Sequence, residues 1–294
     1  KQAVKINPDD AEAYYNLGLA HSKLGRPEEA ILAYKQALSI KPDDAEAHKN
    51  LGVAYAEQGR YQEAIDAYKQ ALSIKPDDAR AHYNLGCSYA EQGRYTEAIN
   101  AYKQAIRVSP DFTEAHYNLG LAYSKLGRYD EAIYAYRQAL SIKPDYAEAH
   151  KNLGQIYANQ GRHEEAIDAC RRAIGINPGF AEAHYTLGVT YGTQGRYREA
   201  ADAFQQVIKI NPDDAEAYYN LGVTYGNERR HTEAIDAYRQ AIRINPDFAE
   251  AHYMLGVAYL NLKDTDNALA EYTVLKNMNP EIADKLFDLI YNKK

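Results

Sequence analysis

Six histidines, His48, His82, His116, His150, His184 and His252, stand at intervals of 34 residues or a multiple of 34. Imidazole is a common zinc ligand, and a helix brings two of them to one metal when they lie four residues apart on one face. None of the six has a second His or Cys at that offset, and Tyr14 and Tyr218 fill the same place elsewhere. The spacing argues for packing rather than ligation, so no metal site is expected.

Carboxylates do acid–base chemistry when a pair is held in unlike environments. Glu46, Glu148, Glu216 and Glu250 instead fall where a helix N-terminus favours negative charge, and Glu63 and Glu131 open further helices in the same way. Glycines occur singly or in Leu-Gly pairs, not as a phosphate-binding loop, and no Ser, His and Asp set is marked by motif. Neither an enzyme nor a cofactor is expected. Cys87 and Cys170 lie more than two intervals apart, too far for a disulfide, whose Cα atoms stay within about 7 Å. Cys170 replaces a recurring tyrosine and reads as a small buried hydrophobe.

The elements behind this periodicity are helical. Within Ala45 to Asp78, His48, Leu51, Gly52 and Tyr55 fall at i, i+3, i+4 and i+7, one face of an α-helix. Ala64, Ile65, Tyr68, Ala71 and Leu72 form the stripe of a second helix, and Gly59-Arg60 between them supplies a left-handed turn. Pro76 ends the pair, and Asp43 with Glu46, or Asp145 with Glu148, reads as a capping box. Gly52 and Ala64 recur as Gly18 and Ala30, then Gly86 and Ala98, small residues that let two helices cross closely. The block repeats about eight times, so a tandem array replaces a single core.

The composition fits closely packed helices, with 28 Tyr and no Trp. A net charge of -7 with both signs interspersed gives no single-sign field, so nucleic acid is not an expected partner. No apolar run approaches the 18 or so residues of a membrane span, which argues against direct membrane insertion, and a cytoplasmic location is expected. Lys1 to Asp10 match the tail of a second helix such as Lys69 to Asp78, implying a longer parent. Ala283, Leu286, Phe287 and Ile290 make an apolar stripe suited to a capping helix.

The recurring aromatic-or-His, Leu-Gly, Tyr, Ala, aromatic, Ala, Pro signature resembles the tetratricopeptide repeat (TPR) family. In the first unit it is Tyr14, Leu17, Gly18, His21, Ala30, Tyr34, Ala37 and Pro42; in the seventh, Tyr218, Leu221, Gly222, Tyr225, Ala234, Tyr238, Ala241 and Pro246. Cys170, Val207 and Leu275 depart from it. The resemblance implies an all-α fold, a right-handed superhelical α-solenoid of stacked helix-turn-helix repeats. Its parts are a repeat tail over 1–10, eight units (11–44, 45–78, 79–112, 113–146, 147–180, 181–214, 215–248 and 249–282) and a capping helix over 283–294.

If the hairpins stack as the family's do, the first helices line a concave groove, and the side opposite Leu51 and Tyr55 faces it. The central groove positions are then Tyr15 and Asn16, Lys49 and Asn50, Tyr83 and Asn84, Tyr117 and Asn118, Lys151 and Asn152, Tyr185 and Thr186, Tyr219 and Asn220, and Tyr253 and Met254. One turn further stand Leu19, Val53, Cys87, Leu121, Gln155, Val189, Val223 and Val257, a mostly apolar track. A carboxamide both donates to and accepts from a peptide backbone, so the Asn ladder can hold an extended chain without reading its side chains. Similar ladders serve peptide binding in the repeat domains of protein glycosyltransferases and kinesin light chains. Equally, each Asn can brace neighbouring helices, and each Tyr can pack between them.

The family's two-carboxylate clamp is not matched, because Val53 stands where an Asn is needed and Glu114 and Asn118 where basic residues are. Lys49, Arg80 and Lys151 remain as attractors for an isolated acidic side chain. The groove reading makes the chain a scaffold for a protein or peptide ligand. Alternatives are self-association through an N-terminal edge, or the non-catalytic part of a longer enzyme.

Overall fold

A 34-residue interval closes on itself only if the chain reverses twice, and the reversals differ in chemistry. Between the two helices of a hairpin, Gly25, Gly59, Gly93, Gly127, Gly161 and Gly195 take φ of 65–73°, in the left-handed region. The last two hairpins place Arg229 and Lys263 there instead, each at φ 62°. Between hairpins, each second helix stops before the recurring proline or asparagine-proline, as Tyr61–Ile74 does with Lys75 as its C-cap and Pro76 beyond.

The computed structural model describes residues 9–291, and among them it holds seventeen α-helices. Two compact units divide at Pro144 and Asp145. In the first unit, first helices Ala11–Lys23, Ala45–Glu57, Ala79–Glu91 and Thr113–Lys125 alternate with second helices Pro27–Ile40, Tyr61–Ile74, Tyr95–Val108 and Tyr129–Ile142. In the second, first helices Ala147–Asn159, Ala181–Thr193, Ala215–Asn227 and Ala249–Asn261 alternate with second helices His163–Ile176, Tyr197–Ile210, His231–Ile244 and Thr265–Met278. The helix Pro280–Tyr291 follows.

Within each unit a second helix packs on the first helices of its own and the following hairpin, and successive first helices also touch. No comparable contact joins successive second helices among the described residues, so first helices form the tighter wall. Each unit is an α-solenoid. Its core is a repeated knob and hole: a Cβ at Gly52 would stand 2.6 Å from Tyr68 Cε1, and one at Gly86 2.6 Å from Tyr102 Cε1. Tyr34, Tyr68, Tyr102, Tyr136 and Tyr238 are accordingly among the most deeply buried side chains. At Gly154 a cysteine, Cys170, replaces the facing ring, its Sγ 2.5 Å from the same point, and burial pushes that thiol up to about 12.

In the second to seventh hairpins an arginine finishes the left-handed turn and stacks on a tyrosine near the end of the first helix. The guanidinium carbon lies 4.5 Å from the ring centre for Arg60 on Tyr55, 4.5 Å for Arg94 on Tyr89 and 4.2 Å for Arg230 on Tyr225. The same arginines pair with a glutamate three residues on, Arg60 with Glu63 and Arg128 with Glu131.

Three local expectations change. The N-cap of Ala45–Glu57 is Asp44, whose side chain accepts from the Ala47 N–H, and not Asp43. Tyr146, not Asp145, caps Ala147–Asn159, and no side-chain cap bond forms there. The closing helix starts at Pro280 rather than 283, because Asn279 accepts from the Ile282 N–H and so begins the turn earlier. On that helix Ala283 and Leu286 are buried, whereas Phe287 is 40% exposed and stacks with Tyr272 and Tyr291. The proposed repeat tail over 1–10 lies largely outside the described residues.

Candidate partner-binding groove

The first helix of each repeat ends its buried face at Leu and Tyr and turns its remaining positions toward the wall. Tyr15 sits 6.0 Å, centre to centre, from the buried Tyr34 of its own hairpin. The same register places Tyr83 at 5.9 Å from Tyr102, Tyr117 at 5.7 Å from Tyr136, Tyr185 at 5.7 Å from Phe204 and Tyr219 at 6.0 Å from Tyr238. Tyr83 and Tyr219 are also held by Phe112 and Phe248, the N-cap residues of the following first helices, at 4.9 and 5.0 Å. The phenol stripe is therefore packed into the wall by its rings and presents its hydroxyls along it.

Those hydroxyls are where the asparagines point. Asn50 Nδ2 donates to Tyr15 Oη at 3.0 Å, Asn118 Nδ2 to Tyr83 Oη at 3.0 Å, and Asn220 Nδ2 to Tyr185 Oη at 3.0 Å, each across 35 residues. Asn118 Nδ2 also reaches Cys87 Sγ at 3.6 Å, and Asn220 Nδ2 donates to the Glu216 carbonyl at 2.9 Å. The expectation that every ladder carboxamide offers a donor and an acceptor is corrected here. At Asn118 and Asn220 the amide nitrogen makes two bracing contacts and at Asn50 one, while the carbonyl oxygen is left to accept.

Lysine in place of tyrosine breaks the seam. Lys49 Nζ donates to Asp78 Oδ2 and to Glu46 Oε1, both at 2.9 Å. Burial opposes its charge, but these two carboxylates outweigh that and hold the ammonium above the ordinary lysine value. Asn84, 35 residues beyond Lys49, is half-buried and has no hydrogen-bond partner among the described residues. Arg80, one turn earlier on the same helix, is exposed and likewise unpaired among them. Asn16 is exposed, as is the apolar-track position Gln155; Leu121 and Cys87 are half-buried. Burial raises the Cys87 thiol, and Tyr102 donates to it at 3.6 Å.

In the second unit Lys151 Nζ lies 2.5 Å from Glu182 Oε2, and Thr186 Oγ1 donates to Gln155 Oε1 at 3.0 Å in place of the missing amide. Asn152 is half-buried beside Lys151. A pocket of about 490 Å³ opens on this wall, lined by Lys151, Asn152 and Gln155 and, from the next two repeats, by Tyr185, Asn211, Asp214 and Glu216. Asn211, Asp214 and Glu216 were not among the expected site residues. The signal for them was the absence of lysine at the places of Lys41 and Lys49, which Asn211 and Tyr219 fill.

The recurring histidines serve the hairpin junctions. His48, His82, His116 and His184 each place Nε2 at 2.8–3.2 Å from the carbonyl oxygen of the proline six residues earlier. His252 does the same with Pro246 at 3.1 Å and adds Glu271 at Nδ1, 2.6 Å away.

The comparisons with known proteins agree with this architecture. Tetratricopeptide repeat models match residues 83–147, 185–247 and 224–280, another matches 125–188, and a TPR repeat model matches 1–25, 22–59 and 54–93. No curated protein matches. Among solved structures, the C-terminal part of a TPR repeat-containing protein from Cytophaga hutchinsonii is 18% identical, with a TM-score of 0.69 over 79% of this chain and 97% of that one. PilF of Pseudomonas aeruginosa is 20% identical, with a TM-score of 0.59 over 71% and 96%. The APC/C hetero-tetramer Cut9-Hcn1 gives 19% identity and a TM-score of 0.56 over 90% of this chain and 52% of that one. At these identities the likeness is one of fold. With repeat models matched along nearly its whole length, the chain belongs to the tetratricopeptide repeat family.

Proposed function

We propose that the wall of first helices receives an extended segment of a partner protein, and that the chain works as a binding scaffold rather than as an enzyme. The observation that carries this is Arg80 with Asn84. Seven repeats place a glutamate at the position of Arg80, where negative charge suits the helix N-terminus. Arg80 opposes that dipole and has no partner among the described residues, so its charge is unexplained by folding. One turn on, Asn84 keeps both amide hydrogens and its carbonyl for a backbone. Around them the half-buried Val53, Cys87 and Leu121 supply apolar contact.

Panning a random peptide display library on the protein tests this. Peptides captured by the wild type should bind Arg80→Glu/Asn84→Ala at least about tenfold more weakly, a loss of about 1.4 kcal/mol. The variant restores the glutamate found in the other repeats, so its fold should survive. Unchanged capture would remove the groove reading.

A second reading, self-association, is supported by Leu24 and Leu32 of the first repeat, 67% and 68% exposed. Sedimentation across a concentration series would show a weight-average mass that rises in the wild type and stays flat in Leu24→Ser/Leu32→Ser. A flat wild-type curve counts against it.

A further inference from the structure

The groove of the second unit differs in charge from that of the first, and an internal comparison shows what it lacks. Asp10, Asp44, Asp78 and Asp214 cap first helices in the same way, one carboxylate oxygen accepting from the N–H three residues on at 2.9–3.0 Å. At Asp44 and Asp78 a lysine of the chain neutralises the cap. Lys49 Nζ stands 2.9 Å from Asp78 Oδ2, and Lys41 Nζ stands 3.7 Å from Asp44 Oδ2. Lys49 also pairs with Glu46, two residues after Asp44, at 2.8 Å.

At Asp214 each of these cations is gone. The register of Lys49 relative to Asp78 is held by Tyr185, that of Lys41 relative to Asp44 by Asn211, and that of Lys49 relative to Glu46 by Tyr219. Asp214 and Glu216 have no ion pair among the described residues. Both carboxylates line the pocket of about 490 Å³ that Tyr185, Asn211 and Gln155 share. Lys151 at its edge is already matched to Glu182. Burial, then the Glu216 and Asp214 charges, keep the Tyr185 phenol above its ordinary range.

We infer that this pocket takes a basic side chain, the ammonium or guanidinium of a lysine or arginine on the partner segment, seated against Asp214 and Glu216 as Lys49 is seated against Asp78 and Glu46. The inference rests on the groove reading and adds the charge of the residue bound in the second unit. Tyr185 offers a ring beside the cation, and the carbonyls of Gln155 and Asn211 offer acceptors for the N–H groups that the carboxylates do not take.

The probe is n-propylguanidinium, with n-propylurea as its uncharged counterpart, followed by amide NMR on the full chain. Wild type should show saturable shifts at the Ala217 amide and the Gln155 and Asn220 side-chain amides, and the urea should not. In Asp214→Asn/Glu216→Gln the affinity should fall at least about tenfold; asparagine still caps a helix, so the fold is retained. Absence of a saturable site, equal binding of the urea, or equal binding by the variant overturns the inference. Loss of the guanidinium site with peptide capture still sensitive to Arg80→Glu/Asn84→Ala sinks the cation pocket alone. Capture insensitive to those changes sinks the groove reading instead.

Discussion

Asn118 donates to the Tyr83 phenol at 3.0 Å, and the two residues lie 35 positions apart, one more than the repeat. Because Tyr83 and Asn118 lie on the first helices of successive repeats, the bond is a tie between hairpins and not within one. Its removal should therefore loosen a joint. Tyr83→Phe leaves the ring packing but strips the acceptor, and should destabilise the first unit by about 0.5–1.5 kcal/mol. Asn84→Ala, with no partner to lose, should stay within about 0.5 kcal/mol. Urea midpoints at constant slope would compare the two, and equal losses would contradict the distinction between bracing and open amides.

Glycine facing a buried ring allows no larger residue. Gly86→Ala puts a methyl 2.6 Å from Tyr102 Cε1 and should cost about 1–3 kcal/mol through overpacking. Gly192 lies in a helix with nothing within 4 Å of its would-be Cβ. Gly192→Ala should therefore stabilise by up to about 1 kcal/mol, the helix preference of alanine. Thermal melts of the pair should shift in opposite directions.

Arg229 and Lys263 hold the left-handed turn that glycine holds in the first six hairpins. A Cβ in that region costs about 1–2 kcal/mol. Arg229→Gly and Lys263→Gly should each raise stability by about 1 kcal/mol, less the entropy glycine returns to the unfolded chain. Melting temperatures that fall in both would show that the side chains contribute more than the turn loses.

His252 makes the last hairpin sensitive to pH. Both of its ring nitrogens face acceptors, Glu271 and the Pro246 carbonyl, an arrangement that satisfies both only when the ring is protonated and each nitrogen donates. The Glu271 bond, outweighing burial, raises its pKa above the ordinary 6.5. A raised folded value means the stabilisation is full below pH 6.5 and fades as pH climbs through the folded pKa. Hydrogen exchange in Ala249–Asn261 should quicken over that window beyond the intrinsic rise, and Glu271→Gln should flatten the response. A wild-type profile parallel to that of the variant would discount the pair.

The helices, their buried faces and the glycine turns were legible because period and punctuation are local properties of one interval. Asp44 in place of Asp43 was not, since either aspartate satisfies a capping pattern and only the backbone angle chooses between them. The destination of the asparagines was half legible. Facing the wall follows from helix phase, but whether an amide is free depends on the residue 35 positions earlier, tyrosine for Asn50 and lysine for Asn84. Glu216 was read as a helix N-terminal residue and Asp214 was not singled out, because the feature that matters is missing lysines in three other places.

The lysine at position 49 has a mechanical consequence. Where tyrosine precedes asparagine, twisting one hairpin against the next breaks a hydrogen bond between two short, ring-anchored groups. At the junction of the second and third repeats the link is the Lys49 ammonium, on a four-carbon stem that follows Asp78 as it moves. Torsional compliance in the first unit is thus concentrated at one joint, and it is the joint that carries Arg80 and Asn84.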